Sequence, residues 1–94
     1  MKYGQMQLSV EYMTPAIAER WLKQSNTNNR RLRKAVVSQY ARDMKEGRWH
    51  AKPLAVCWDV DEKLGNGQHT LSAIAESGVA QWLLVARNVP IEAI

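Results

Sequence analysis

The sequence holds a single cysteine, no apolar run of membrane length and, at its most distinctive turn, neither a carboxylate nor an arginine. One cysteine, Cys57, excludes an internal disulfide and a cysteine-based zinc cluster. It stands inside the apolar stretch Leu54-Ala55-Val56-Cys57-Trp58, the setting of a small core side chain. A thiol activated by a helix N-terminus would have to lie at the glycine turn that follows, and Cys57 precedes Gly65 by eight positions. The opening residues, Met1-Lys2-Tyr3-Gly4-Gln5, form no apolar segment of the signal-peptide type. Nowhere do about 18 apolar residues follow one another. A cytoplasmic protein with no membrane partner is expected. Repeats and low-complexity tracts are absent as well.

What is present is an ordinary globular composition. Its 94 residues, 46% apolar and 23% charged, suffice for one core and not for two, so residues 1–94 read as a single domain. The net charge of +4 is unevenly spread. Ten of the 13 basic residues and only two acids, Asp43 and Glu46, lie between Arg20 and Lys52, which puts that stretch at +8 and the remainder near −4. Such a positive surface suits a polyanion or an acidic protein face; a solvated helix face is the plainer reading. Simple mimicry of DNA would call for acidic surfaces instead.

Gln7 to Tyr12 alternates polar and apolar residues, with Leu8, Val10 and Tyr12 on one face, and predicts a strand. Thr14-Pro15 signals a helix start, a hydroxyl cap followed by proline, with Ile17, Ala18, Trp21 and Leu22 on the inner face. Ser25-Asn26-Thr27-Asn28-Asn29 ends that helix. A second helix is expected from Arg30 or Arg31, with Leu32, Val36, Val37, Tyr40 and Met44 inward and Gly47 as its stop. Arg33, Lys34, Arg42 and Lys45 form its basic outer stripe. After Pro53 comes the strand Leu54–Trp58, then a turn through Asp59-Val60-Asp61-Glu62-Lys63, then Leu64 leading into the glycines. Gln68 to Ser77 predicts a third helix, buried through Leu71, Ile74 and Ala75 and closed by Gly78. Trp82–Ala86 is almost continuously apolar, as an interior strand should be, and Pro90-Ile91-Glu92-Ala93-Ile94 begins a further helical turn.

Gly65-Asn66-Gly67 opening onto Gln68-His69-Thr70-Leu71-Ser72-Ala73-Ile74 has the form of a phosphate cradle, because glycines permit close approach and the first helical N–H groups face the anion. This segment, the strand Leu54 to Asp59, and Asn29-Arg30-Arg31-Leu32 with Val37-Ser38-Gln39-Tyr40-Ala41-Arg42-Asp43-Met44 and Gly47-Arg48-Trp49 together resemble the ParB/sulfiredoxin-like domains. The likeness is to the ParB-like nuclease-domain proteins of phages and mobile elements, and it spans roughly residues 8 to 90. It implies a small α+β domain with about three helices packed on a mixed sheet. It also implies that an Asp-Gly-Gln-His-Arg motif holds a nucleotide's phosphates through its arginine and its helix N-terminus. Here Asn66 replaces the acid and Thr70 the arginine, which removes charge-assisted bidentate bonding to phosphate.

Hydrolysis of a nucleotide or of nucleic acid would need a metal-ligand set or an acid–base pair near the glycine turn. Asp59, Asp61 and Glu62 read as an exposed acidic turn, His69 as a cap or packed polar residue, and His50 has no evident partner. No catalytic residue, metal or cofactor is therefore expected. The candidate binding surface is Arg30, Arg31, Arg33, Lys34, Arg42, Lys45 and Arg48, with Trp49 as an exposed aromatic anchor, while Trp21 and Tyr40 fit the core. The second candidate is the residual phosphate-type loop, Asn66, Gly67, Gln68, His69 and Thr70. The expected function is a non-catalytic phage or mobile-element binding protein. It would inhibit or modulate a host nucleic-acid-processing defence system of the anti-CRISPR or anti-restriction kind. The alternative is a DNA- or nucleotide-binding regulatory domain. A host protein or ribonucleoprotein complex is the expected partner, with DNA or RNA as a further one.

Overall fold

The computed structural model describes residues 5–24, 32–50 and 56–93. Strand β1 (Gln7–Met13) leads into helices α1 (Pro15–Gln24) and α2 (Lys34–Lys45). Strands β2 (Val56–Asp59) and β3 (Leu64–Asn66), helix α3 (Gln68–Ser77), strand β4 (Gln81–Val89) and a 3-10 turn, Ile91–Ala93, complete the order. Among the described residues this is an α+β domain, three helices on a four-stranded mixed sheet. The strands lie in the order β1-β4-β2-β3. β4 is antiparallel to β1 and parallel to β2, and β2 pairs antiparallel with β3. A parallel pair needs a crossover, which β3 and α3 supply between β2 and β4.

Local chemistry sets the helix ends. Thr14 Oγ1 accepts the Ile17 N–H at 3.2 Å and the Thr14 carbonyl accepts the Ala18 N–H at 2.9 Å, a hydroxyl cap worth about 1 kcal/mol. Pro15 stands at the first helical position, where its missing N–H costs nothing. Gly47 and Gly78, each at φ +72°, close α2 and α3 in the left-handed region that L side chains avoid.

The core forms between the helices and one face of the sheet. Met13, Val56, Leu83 and Val85 from the strands interlock with Ala18 of α1, Val37, Ala41 and Met44 of α2, and Leu71, Ala73 and Ile74 of α3. Cys57, Ala86 and Val89 make a small separate cluster. Burial pushes the Cys57 thiol above its ordinary pKa, so the thiol is an inert packing group. Among the described residues no helix is long and apolar enough to cross a membrane.

Three elements depart from the sequence reading. Leu64–Asn66 is a strand, closing a hairpin with β2 through the turn at Asp59–Lys63. Helix α2 opens at Lys34 with Arg33 as its N-cap, so Arg33 stands ahead of the basic stripe and not on it; Arg30 and Arg31 lie outside the described residues. Of the strand expected at Leu54–Trp58, Leu54 and Ala55 likewise fall outside them, and β2 runs on to Asp59. Strand β1 forms as expected, and the structure shows which way its apolar face points. Leu8, Val10 and Tyr12 point away from the helices and are 53%, 66% and 52% exposed, whereas Ser9, Glu11 and Met13 face the helix layer. Met13 fills the core beside Leu83, and Glu11 is tolerated on that side because Arg87 of β4 binds it.

Candidate anion-binding site

The glycine turn and the start of α2 meet. Gly67 is the N-cap of α3 at φ +114°, a conformation that demands glycine, and its carbonyl accepts the Leu71 N–H at 2.9 Å. From the first turn of α3, His69 reaches across to α2, where its Nε2 accepts the Arg33 N–H at 3.0 Å. The imidazole thus caps the backbone of a neighbouring helix, and that use of Nε2 makes it a structural acceptor. The contact holds two helix N-termini side by side, one beginning at Lys34 and the other at Gln68.

At neither N-terminus does the N-cap residue's own side chain bond the first turn, and neither has an acid there. The first N–H groups of a helix carry the positive end of its dipole, which favours anions nearby. At α2 the sequence does the reverse and places two exposed cations there, Arg33 and Lys34. Each opposes the dipole by about 0.3–1 kcal/mol. Beyond them, Lys34, Ser38, Arg42 and Lys45 fall within about 80° of arc at 3.6 residues per turn. The result is a positive corner continued by a positive stripe.

The other candidate residues are placed differently. Arg48 is bound by Asp43, at 3.3 Å, and by Glu46, so its charge is already answered. Trp49 is not an exposed anchor. It is half-buried against the core, 6.3 Å from the Tyr40 ring, because the Arg48 and Trp49 N–H groups bond back to the Asp43 carbonyl and turn the chain inward. In the loop, Asn66 is exposed and Gln68 and His69 are half-buried, while Gly67 is buried and Thr70, 8% exposed, faces the interior. Thr70 therefore gives a passing phosphate no hydroxyl, and the site that remains consists of helix N–H groups and the cations of α2.

The acidic turn is occupied with its own geometry. Asp59 Oδ1 accepts the N–H groups of Asp61 at 2.8 Å and Lys63 at 3.0 Å, and Glu62 takes φ +59°. Among the described residues no cluster of three or more His, Cys, Asp or Glu side chains could hold a metal ion.

A hollow of about 760 Å³ is lined in part by Trp21, Trp58, Asp61, Glu62 and Arg87. The two indoles meet edge to face at 5.3 Å, and the Arg87 guanidinium sits 5.4 Å from the Trp21 ring while binding Glu11 through both nitrogens. Sequence reasoning missed this cluster because its members lie in four separate elements. The Arg87 hydrogen bond holds the Glu11 carboxyl below its ordinary pKa of 4.5, against the smaller opposing effect of burial. A depressed folded-state pKa stabilises the protein above the unfolded value, and that stabilisation is lost as pH falls through the folded one. Glu11→Gln is accordingly expected to lower the urea midpoint at neutral pH, and the gap from the parent should close on acidification below 4.5. A gap independent of pH would show that the ion pair contributes nothing through its charge.

Comparison with protein-family models, with curated proteins and with solved structures finds no match for this chain.

Proposed function

We propose that this protein binds the phosphates of a nucleic acid, free or displayed on a host nucleoprotein complex, and does no chemistry on them. The observation that carries this reading is the pair of cations, Arg33 and Lys34, set against the dipole of α2 beside the start of α3, whose N-cap is a glycine. An arrangement that costs stability locally is relieved when an anion enters it. In the ParB-like reading of the chain, an arginine on the third helix would hold the phosphate. Arg33, delivered from the neighbouring helix, supplies the guanidinium in place of Thr70. The loss of the acid at Asn66 supports binding without turnover. In a phage or mobile element such a protein would act as an inhibitor or modulator of a host nucleic-acid-processing defence system, covering the surface that handles DNA or RNA.

Fluorescence anisotropy with labelled duplex DNA, single-stranded DNA and RNA tests the reading, with CTP and ATP as competitors. At about 50 mM salt the polymers should bind with micromolar Kd, whatever their sequence, and the mononucleotides should compete weakly because they offer one phosphate cluster and not a track. No binding by any polymer would overturn the proposal. Tight binding of CTP or ATP alone would favour a nucleotide-dependent regulatory domain.

A further inference from the structure

On the side of the sheet opposite the helices, the part along β1 is apolar and open. Met6 is 48% exposed, Leu8 53%, Val10 66%, Tyr12 52% and Trp82 63%. The pairing of β1 with β4 arranges them in three rungs: Tyr12 beside Trp82, Val10 beside Leu84, Leu8 beside Ala86. The Tyr12 and Trp82 rings touch, with centroids 5.0 Å apart. No rung carries a charge. The five exposed residues present on the order of 500 Å² of surface, at the upper end of what a soluble monomer leaves in contact with water.

We propose that this face is the contact between two copies of the chain, packed sheet against sheet about a two-fold axis. The area fits. Two such faces remove about 1,000 Å² from water, the lower bound for a specific pair. The charge distribution fits as well. The basic residues of α2 belong to the helix layer on the far side of the sheet, so apposing the neutral faces keeps the two positive layers as far apart as the fold permits.

Shape supplies the third reason. The exposed surface of the rungs runs from bulky, Tyr12 and Trp82, to lighter, Leu8 alone, because Ala86 beside it is fully buried with Cys57 and Val89. A two-fold axis through the middle rung lays the bulky end of one copy on the lighter end of the other, the self-complementarity that an isologous contact requires. Aligned sheets pack in this way at about 10 Å. Edge-to-edge growth through β1 is disfavoured by Glu11, an inward-pointing charge of the kind that guards exposed edge strands.

Sedimentation equilibrium at about 100 µM, above the micromolar Kd that so small an interface gives, should find a dimer. In Val10→Lys each introduced lysine would face its own copy across the axis, and this variant should sediment as a monomer with an unchanged circular dichroism spectrum. Val10→Cys should form a disulfide-linked dimer on mild oxidation, while Lys45→Cys, on the helix layer, should not; the buried Cys57 does not compete. A parent protein that stays monomeric overturns the proposal, whether its open face then takes up detergent, lipid or another protein. So does a dimer that survives Val10→Lys. These measurements use no nucleic acid, so their failure is separate from a failure of the binding corner.

Discussion

Arg33→Glu with Lys34→Glu is expected to weaken binding to a nucleic acid roughly a hundredfold while leaving the fold intact or slightly more stable. The two swaps take the chain from a net charge of +4 to neutrality and place two carboxylates where phosphates would sit. Two exposed charge-assisted contacts, discounted for solvent to about 1 kcal/mol each, together with the new repulsion, amount to ~3 kcal/mol, or about a hundredfold in Kd. Stability should move the other way, because acids in the first turn of a helix agree with its dipole by about 0.3–1 kcal/mol apiece. Anisotropy and thermal melting on one preparation read both quantities. Opposite signs for binding and melting would set a functional surface apart from a merely solvated one. Unchanged binding would remove the corner of α2 and α3 from the account.

Leu71→Ala should be the most damaging single change to the fold. Leu71 is fully buried, one turn beyond the glycine N-cap, in the cluster that joins α3 to α1, α2 and the sheet. Truncating such a leucine costs about 2–5 kcal/mol, depending on how far the cavity collapses. A domain of this size has a total stability of only about 5–14 kcal/mol, so a fall in melting temperature of roughly 10–25 °C is expected by calorimetry. Because α3 also carries His69, loosening it should release the His69 tie to Arg33 and weaken anion binding beyond the loss of folded protein. A drop of under about 1 kcal/mol would mean that α3 is held elsewhere.

Helix termini were the most legible part of the chain. Thr14-Pro15 and Gly78 act through local capping chemistry, so α1 begins and α3 ends where those residues direct. Strand β3 was not legible, since Leu64-Gly65-Asn66 is too short to alternate and acquires its identity only by pairing with Cys57 and Trp58. Alternation in β1 revealed an apolar face without revealing which side the helices would cover. The side they cover holds Ser9 and Glu11, made compatible by an arginine 76 residues away. Trp49 looked exposed between Arg48 and His50, yet the return of its N–H to Asp43 brings the ring toward Tyr40.

The candidate site was half legible for the same reason. Its parts, a basic stretch and a glycine turn, are local and were visible separately. Their adjacency rests on the His69–Arg33 contact across 36 positions, which no local pattern encodes. Thr70 shows the converse: its place in the motif suggested contact with a ligand, and its place on α3 turns it into the core.

The salt dependence of nucleic-acid binding tests the central claim most directly. Each phosphate neutralised by a cation contributes about −0.9 to the slope of log K against log salt on duplex DNA. Contacts from Arg33, Lys34, Arg42 and Lys45 predict a slope of about −2 to −4, made shallower by roughly 2 in the Arg33→Glu, Lys34→Glu variant. A slope near zero, or one that the variant leaves unchanged, would contradict the account.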